Sequence, residues 1–450
     1  MKNIGILGVG VVGRSILEFF KKQNKSVDIT VWDECKNSSQ ISILEFLKSN
    51  DINFFSPGIS YKKYFDFYQK FPNKCLGELD VFAKYFDKPA IAVTGSLGKT
   101  TIAKLISVLL SKSNFNVGLG GNIGYPMLDL IKEKNKLDFS VLELSSFQLF
   151  LNKKFAPKIA IWSNFYPNHL NWHETENHYF DSKFKIFEFQ KQDGFSLFPV
   201  ELIDEKNIEK FKSLKSTLCF VSNSNINFDK QLLSIKDYLF FYVEGNFLKY
   251  EKIINYKVVK RENIFNLSLL PQFSFIQNWI YVIASIFLLG IDLKKLKISS
   301  EDFNFQDKIF EHRLEFFVSI NNIDFYNDSK STVFQATESA IEKLNKNGKP
   351  IILILGGLGK GVDRSKFIKS LDKKYKNLKE ILFFGSESNL FQNIKTYSDL
   401  NSALKEIKLL AKPGDQVLFS PSGSSFDLFD NYMHRGKVFK DLVLKMYTPN

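Results

Sequence analysis

The sequence predicts an α/β chain of three domains: a Rossmann-like N-terminal domain, a central P-loop-type domain with a β-rich insertion, and a Rossmann-like C-terminal domain. Three observations carry this. A length of 450 residues suggests roughly three domains, each able to bury its own core. Two segments, KNIGILGVGVVGRSILEFF and KPAIAVTGSLGKTTIAKLISVLL, read as strand, glycine loop and helix. Late in the chain PIILILGG, LKEILFFG and DQVLFSPS have the unbroken apolar character of parallel strands buried on both faces.

Taken in order, residues 1–87 begin with a strand running into Gly8–Gly13. VDITVWDE is a second strand ending at Asp33, and Ser56-Pro57-Gly58 is a turn after a third. The central domain, 88–298, has further strands at 139–145 and 158–165. From about 195 to 262 its texture changes to short alternating runs, with a hairpin signal at Glu244-Gly245-Asn246. The run WIYVIASIFLLGI has 13 residues, which suits a buried helix and is too short to span a bilayer. The last domain, 299–450, opens with RLEFFVSINNIDFYND, a second hairpin.

Composition narrows the class. Lysine and arginine number 61 against 48 acidic residues, a net charge of +13. The lysines are scattered without a basic block, in a chain that also holds 47 phenylalanines. A compositional bias explains this better than a nucleic-acid partner, although the excess charge helps to attract anionic substrates. Cys35, Cys75 and Cys219 form no close-spaced pair, so neither a disulfide framework nor a zinc knuckle is expected. The start, one lysine and then a strand, does not read as a signal peptide, so no secretory leader is expected. A cytoplasmic protein without membrane insertion is expected.

Two glycine loops carry the chemistry. In the first, the glycines of Gly8-Val9-Gly10-Val11-Val12-Gly13 let a diphosphate approach a helix N-terminus, and Asp33 at a strand end can accept ribose hydroxyls. Which diphosphate is left open at this point. The second, Thr94-Gly95-Ser96-Leu97-Gly98-Lys99-Thr100, is more specific. Lys99 would neutralise phosphate charge and the Thr100 hydroxyl would ligate Mg²⁺, although Val93 stands where the first glycine of the common pattern belongs. A nicotinamide-dependent oxidoreductase would leave this second loop without a purpose. Glu143, ending an apolar strand in VLELSSFQ, lies where α/β sheets bind ligands and is a further Mg²⁺ candidate. Asn135-Lys136-Leu137-Asp138 matches a guanine-reading motif but precedes its strand, so it reads as a solvated turn. HLNWHETENH offers three histidines with no cysteine near. One at most is expected to be a ligand, with the others on a surface turn or helix start.

With these motifs in this order, the chain resembles the Mur ligases. The resemblance runs through TGSLGKTT, GGNIGYPML, ELSSFQL, SNFYPNHLNWH, FDSKFKIF, EHR, NDSKST, GGLGKG and SPSGSSFDLF. It implies an ATP-dependent ligase that joins D-glutamate to UDP-N-acetylmuramoyl-L-alanine through an acyl phosphate, working as a monomer. The chemistry needs positioning and charge neutralisation more than acid–base groups. The resemblance assigns Gly95, Ser96, Gly98, Lys99, Thr100, Thr101, Asn278, Arg313 and Asp328 to ATP. Two Mg²⁺ sites are implied at Thr100, Glu143, His169 and Lys183, the lysine as a CO₂-derived carbamate. From the sequence alone, Lys183 reads as a lysine on a solvated helix face. The first domain would grip UDP rather than NAD, through Gly10–Gly13, Asp33, Glu34 and Ser56, Pro57 and Gly58, with Asn122 and Ser145 completing the substrate site. Lys330, Thr332, Lys360, Ser425 and Phe426 would surround D-glutamate.

The chain departs from the family pattern at Leu97, Leu358, Asn168 and Asn171, each where a polar or acidic residue is usual, and near Asn278, which alone survives of an adenine-side run. A folylpolyglutamate-type ligase would lack the first domain and ELSSFQ. A protein that holds the precursor without making a bond would not turn over ATP.

Overall fold

The computed structural model describes residues 3–23, 27–33, 42–224, 234–271, 274–302, 311–359, 362–391 and 394–447. They form three sheets in two compact units, Met1–Phe165 with Trp172–Phe303, and Tyr166–Asn171 with Asn304–Asn450.

In the first unit, β1 (Asn3–Leu7), β2 (Asp28–Trp32), β3 (Ile52–Phe55) and β4 (Cys75–Leu76) make a parallel sheet of order β2-β1-β3-β4. The helix Val11–Gln23 covers it with Gly13, Ile16 and Phe19. A Cβ on Gly13 would lie 1.8 Å from the Gly8 carbonyl oxygen, so this glycine is what lets helix and strand approach. The core of this sheet does not close on itself. Ile4, Ile6, Ile16 and Phe54 share one apolar cluster with Leu79, Phe82, Leu142 and Leu149, which is why the first two sheets form one compact unit.

The second sheet has nine strands: β5 (Ala90–Thr94), β6 (Val117–Gly121), β7 (Phe139–Glu143), β8 (Ile159–Trp162), β9 (Phe195–Pro199), β10 (Thr217–Ser222), β11 (Tyr238–Glu244), β12 (Phe247–Ile254) and β13 (Lys257–Asn266). Their order is β13-β12-β11-β10-β9-β8-β5-β7-β6. The expected β-rich insertion is therefore not a separate element: β9 to β13 extend the sheet that carries the phosphate loop. β9 and β10 are buried along nearly their whole length, as parallel strands inside a two-faced sheet must be. The hairpin at Gly245 and Asn246 is present, and β11 and β12 pair antiparallel across it. The helix Ile276–Leu288, apolar on all sides, buries nine residues and packs on the helix Lys99–Lys112. The latter buries six side chains, Ile102 to Leu110, worth roughly 10 kcal/mol before chain entropy, and this anchors the loop before it. No helix among the described residues is long and apolar enough to cross a membrane.

The second unit is built on β14 (Glu315–Ile320), β15 (Ile323–Asn327), β16 (Ile351–Gly356), β17 (Leu378–Phe384), β18 (Lys395–Tyr397) and β19 (Gln416–Phe419), in the order β14-β15-β19-β16-β17-β18. β14 and β15 form the expected hairpin, with Asn321 and Asn322 both at positive φ as its two-residue turn requires. Along β16, Ile352 and Ile354 enter one core while Ile351, Leu353 and Leu355 enter another. A period of two with both faces apolar is what the sequence run had implied.

One buried charge bears on stability. Glu78 opens the helix Glu78–Tyr85 and is 3% exposed. Burial pushes its carboxyl up to about 7, moderated by the amides of Leu128 and Met127 and by the Gln148 side chain. The folded chain thus holds this proton more tightly than the unfolded chain. Its contribution is fully present below pH 4.5 and is lost as the pH rises towards about 7, by about 3 kcal/mol at most. Glu78→Gln should remove that slope, so the Tm of the natural protein should fall relative to the variant between about pH 5 and about pH 8. A constant Tm difference across that range would show that the carboxyl does not titrate there.

Candidate active site

The loop between β5 and the helix Lys99–Lys112 turns through Gly98, at φ 78°, where a Cβ would lie 2.6 Å from Asn278 Oδ1. Asn278 is thus placed against the phosphate loop, with its Nδ2 donating to Ser274 Oγ at 3.1 Å. Lys99 Nζ folds back to donate to the carbonyls of Gly95 (2.9 Å) and Ser96 (3.1 Å). The amides of Ser96 and Leu97 donate to Asn164 Oδ1 at 3.1 and 2.8 Å. The Leu97 carbonyl accepts from Ser163 Oγ and Asn164 Nδ2 at 2.7 and 3.1 Å. Leu97 lacks the usual polar side chain, yet its backbone is held on both sides. Ser163 and Asn164 open the SNFYPNHLNWH motif but had been given no role of their own. Their signal was their position, at the C-terminal end of the strand beside β5.

Glu143 is the last residue of β7 and is buried. Its Oε2 accepts from Thr100 Oγ1 at 2.7 Å and its Oε1 from Asn122 Nδ2 at 2.9 Å. The phosphate-loop helix, the GGNIG segment and the ELSSFQ strand therefore meet at one carboxylate. Thr101 lies in the same first helical turn as Thr100. A threonine hydroxyl and a carboxylate at an N-terminal helix end are the hard oxygen donors that Mg²⁺ takes, so the residues present fit that ion. Ser145 caps the next helix, Ser146–Phe150, through a reciprocal pairing with Gln148.

Lys183 is 2% exposed, against its reading as a solvated lysine. Its Nζ donates to the Gly95 carbonyl at 2.9 Å and to Thr94 Oγ1 at 3.3 Å, and lies 4.9 Å from the centre of the Tyr179 ring. Burial first, and then the charge of Lys99, hold its amine well below the ordinary lysine range, with Glu143 opposing. The structure thus brings Lys99, Thr100, Asn122, Glu143 and Lys183 around one loop.

The histidines differ from expectation. His173 is buried rather than on a surface turn. Its Nε2 pairs with Ser146 Oγ at 2.9 Å, its ring stacks on Phe147, and burial pushes it down to about 3. His178 is partly buried, with its Nδ1 3.0 Å from the His173 carbonyl. Both belong to the first unit and brace the ELSSFQ helix. His169 belongs to the second unit, at φ 58°, and its amide donates to Asn168 Oδ1 at 2.9 Å.

At the first glycine loop, Asp33 Oδ2 accepts from the Val9 amide at 2.9 Å and Ser56 Oγ donates to the Gly8 carbonyl at 2.7 Å. A Cβ on Gly10 would meet nothing within 4 Å, and Val11 is 65% exposed, so this helix start is open. Val12 and Pro57 are half-buried and Gly58 is exposed. Glu34 lies outside the described residues.

In the second unit, Arg313 stands between His312 (φ 67°) and Leu314 (φ 46°), both in the left-handed region. Asp328 accepts from the Leu314 amide at 2.9 Å and from Ser420 Oγ at 2.6 Å, and burial pushes it up to about 7. Lys330 Nζ lies 3.8 Å over the Tyr432 ring. Thr332 is half-buried, Ser425 is buried and Phe426 is 72% exposed. Lys360 lies outside the described residues. Glu311, His312 and Glu315 have metal-ligand spacing, but Lys440 already bridges the two glutamates, which makes the group an ion-pair network.

A phosphate loop on a parallel sheet, with a carboxylate and a buried lysine behind it, defines a nucleotide-binding enzyme domain of the α/β class. The Mur ligase middle domain matches residues 93–284, and the Mur ligase glutamate ligase domain matches residues 312–423. The chain is 31% identical over 468 residues to the UDP-N-acetylmuramoylalanine–D-glutamate ligase of Fusobacterium nucleatum, covering 99% of this chain and 100% of that protein. To the enzyme of the same name from Pseudothermotoga lettingae it is 34% identical, covering 95% and 89%. Among solved structures, the fold is similar to a pseudomurein peptide ligase type C from Methanothermus fervidus (TM-score 0.55, 16% identity, 99% and 100% covered). It is also similar to MurF ligase from Thermotoga maritima in complex with ADP (TM-score 0.54, 16% identity, 88% and 94% covered). The chain belongs to the Mur ligase family, and it is a ligase.

Asn164 gives a test of the loop. Asn164→Ala removes the acceptor for two loop amides, each bond worth about 1 kcal/mol. ATP should then bind about 10-fold more weakly by calorimetry, with Tm lowered by about 5 °C. Unaltered affinity would show that the loop is held without it.

Proposed function

We propose that the chain joins the amine of D-glutamate to the alanyl carboxylate of UDP-N-acetylmuramoyl-L-alanine, with ATP converted to ADP and phosphate. The observation that carries this reading is the convergence of Lys99, Thr100, Asn122 and Glu143 at one strand end, in a chain whose relatives bear the name of that reaction. In this reading ATP phosphorylates the alanyl carboxylate, the D-glutamate amine attacks the acyl phosphate, and the tetrahedral adduct collapses to the amide. Lys99 neutralises phosphoryl charge, and backbone amides at the helix start hold the phosphate oxygens. Thr100 and Glu143 would hold Mg²⁺, which supplies Lewis acidity at the transferred phosphoryl group, with His169 serving a second ion. Asn122 orients the precursor.

Lys183 has the property a carbamate requires, an amine that burial holds well below the ordinary lysine range, which favours the uncharged form that attacks CO₂. As a carbamate it would exchange a cation for an anion beside the Mg²⁺ ligands. Residues 1–87 hold the UDP end through Gly10–Gly13, Asp33 and the Ser56–Gly58 turn, and residues 88–298 hold the ATP phosphates. Residues 299–450 take D-glutamate through Lys330, Thr332, Lys360, Ser425 and Phe426, with Arg313 and Asp328 reaching ATP. The enzyme works as a cytoplasmic monomer in this reading.

Phosphate release from ATP and Mg²⁺ is expected only with UDP-N-acetylmuramoyl-L-alanine and D-glutamate together. Release with L-glutamate, L-alanine or a diamino acid instead would move the acceptor assignment. Lys183→Ala should lower the rate about 100-fold or more, and a fully active variant would remove Lys183 from the chemistry.

A further inference from the structure

Two turns of the second unit lie side by side, one following β16 and one following β19. The Leu358 amide donates to the Ser424 carbonyl at 2.9 Å, the Ser424 amide to the Leu358 carbonyl at 2.8 Å, and the Gly356 amide to the Pro421 carbonyl at 2.9 Å. Against this pair lies Arg364, 3% exposed. Its Nη1 donates to the Gly356 carbonyl at 3.0 Å and to Ser422 Oγ at 3.4 Å. Its Nη2 donates to the Gly357 carbonyl at 2.6 Å and to Glu387 Oε2 at 2.5 Å. The other oxygen of Glu387 accepts from the Gly359 amide at 2.9 Å. A Cβ at position 423 would come within 2.6 Å of Arg364 Nη1, so the guanidinium is packed hard against the second turn.

A buried ion pair is a poor source of stability, because desolvation offsets its attraction. What a guanidinium offers here is geometry: a rigid planar fork that fixes several acceptors at once, which a lysine cannot reproduce. Every polar contact of Arg364 and Glu387 named above, apart from their own pairing, goes to one of the two turns. We propose that the Arg364–Glu387 pair is a positioning element for the amino-acid substrate, holding the paired turns in the register from which Ser425 meets it. The pair touches no reacting atom. The inference rests on the reading that Ser425 faces D-glutamate, and it adds residues outside the motif positions to that specificity.

The test compares the full-length natural protein with Arg364→Lys, Arg364→Met and Glu387→Gln, measuring KM separately for D-glutamate, ATP and the UDP precursor, together with kcat and Tm. KM for D-glutamate should rise about 10-fold in both Arg364 variants and about 3-fold in Glu387→Gln, which keeps the acceptor for Gly359 but loses the charge. KM for ATP and for the precursor should stay within about two-fold. Parallel changes in all three KM values, or a fall in kcat alone that tracks folded fraction, would overturn the proposal in favour of a merely structural pair. If an Arg364 variant fails to fold, Glu387→Gln decides. If the natural protein uses another amino acid, the D-glutamate reading fails and the same variants are scored on the KM of that amino acid. An unmoved acceptor KM overturns the positioning role, and no turnover with any amino acid overturns both.

Discussion

The first unit depends on one carboxylate. Glu143 ends a buried parallel strand, and both of its oxygens are engaged, one by the first turn of the phosphate-loop helix and one by the asparagine of GGNIG. Parallel strands deliver their C-terminal ends to one edge of the sheet, so three segments far apart in sequence arrive at the same few ångströms. In the proposed reaction this acid would hold a cation between two anionic substrates. The apolar helix Ile276–Leu288 and its partner Lys99–Lys112 supply the rigidity, since the loop can keep its shape only if the helix behind it does not move.

The polar groups of the loop are satisfied from within the protein. Lys99 bonds loop carbonyls, and Asn164 takes two loop amides. The loop is therefore held in shape before a phosphate arrives, and binding spends little free energy on ordering it. Lys183 is braced in the same way, its amine donating to a carbonyl and a hydroxyl.

The strand–loop–helix beginnings, the buried helix and both hairpins were legible because each is a local pattern of periodicity and turn chemistry. Lys99, Thr100 and Glu143 were legible for the same reason, as each sits at a strand or helix end that its neighbours announce. The nine-stranded sheet was not, because whether β9 and β10 continue a sheet or begin another is settled by long-range pairing. Nor was the division into two compact units, which follows from a core shared between the first two sheets. His173 looked like a surface residue because its polar neighbours in sequence hide the aromatic cluster it enters. Without the family resemblance, Lys183 reads as a surface lysine for a subtler reason. Tyr179, Lys183, Ile186 and Phe187 fall on one helical stripe, the buried one, and a lysine in such a stripe is a statement about its charge.

The border of the largest sheet has a consequence for the chain as a whole. β13 is exposed over most of its length, carries Lys257, Lys260 and Arg261, and pairs with β12 through two irregularities of register. Unpaired strand edges recruit strands from other molecules unless charge and distortion discourage it. A protein with 47 phenylalanines has abundant material for such mispairing while it folds. The lysine-studded, bulged margin acts as a selvedge: it finishes the sheet in a way that discourages a neighbouring chain from taking up the weave.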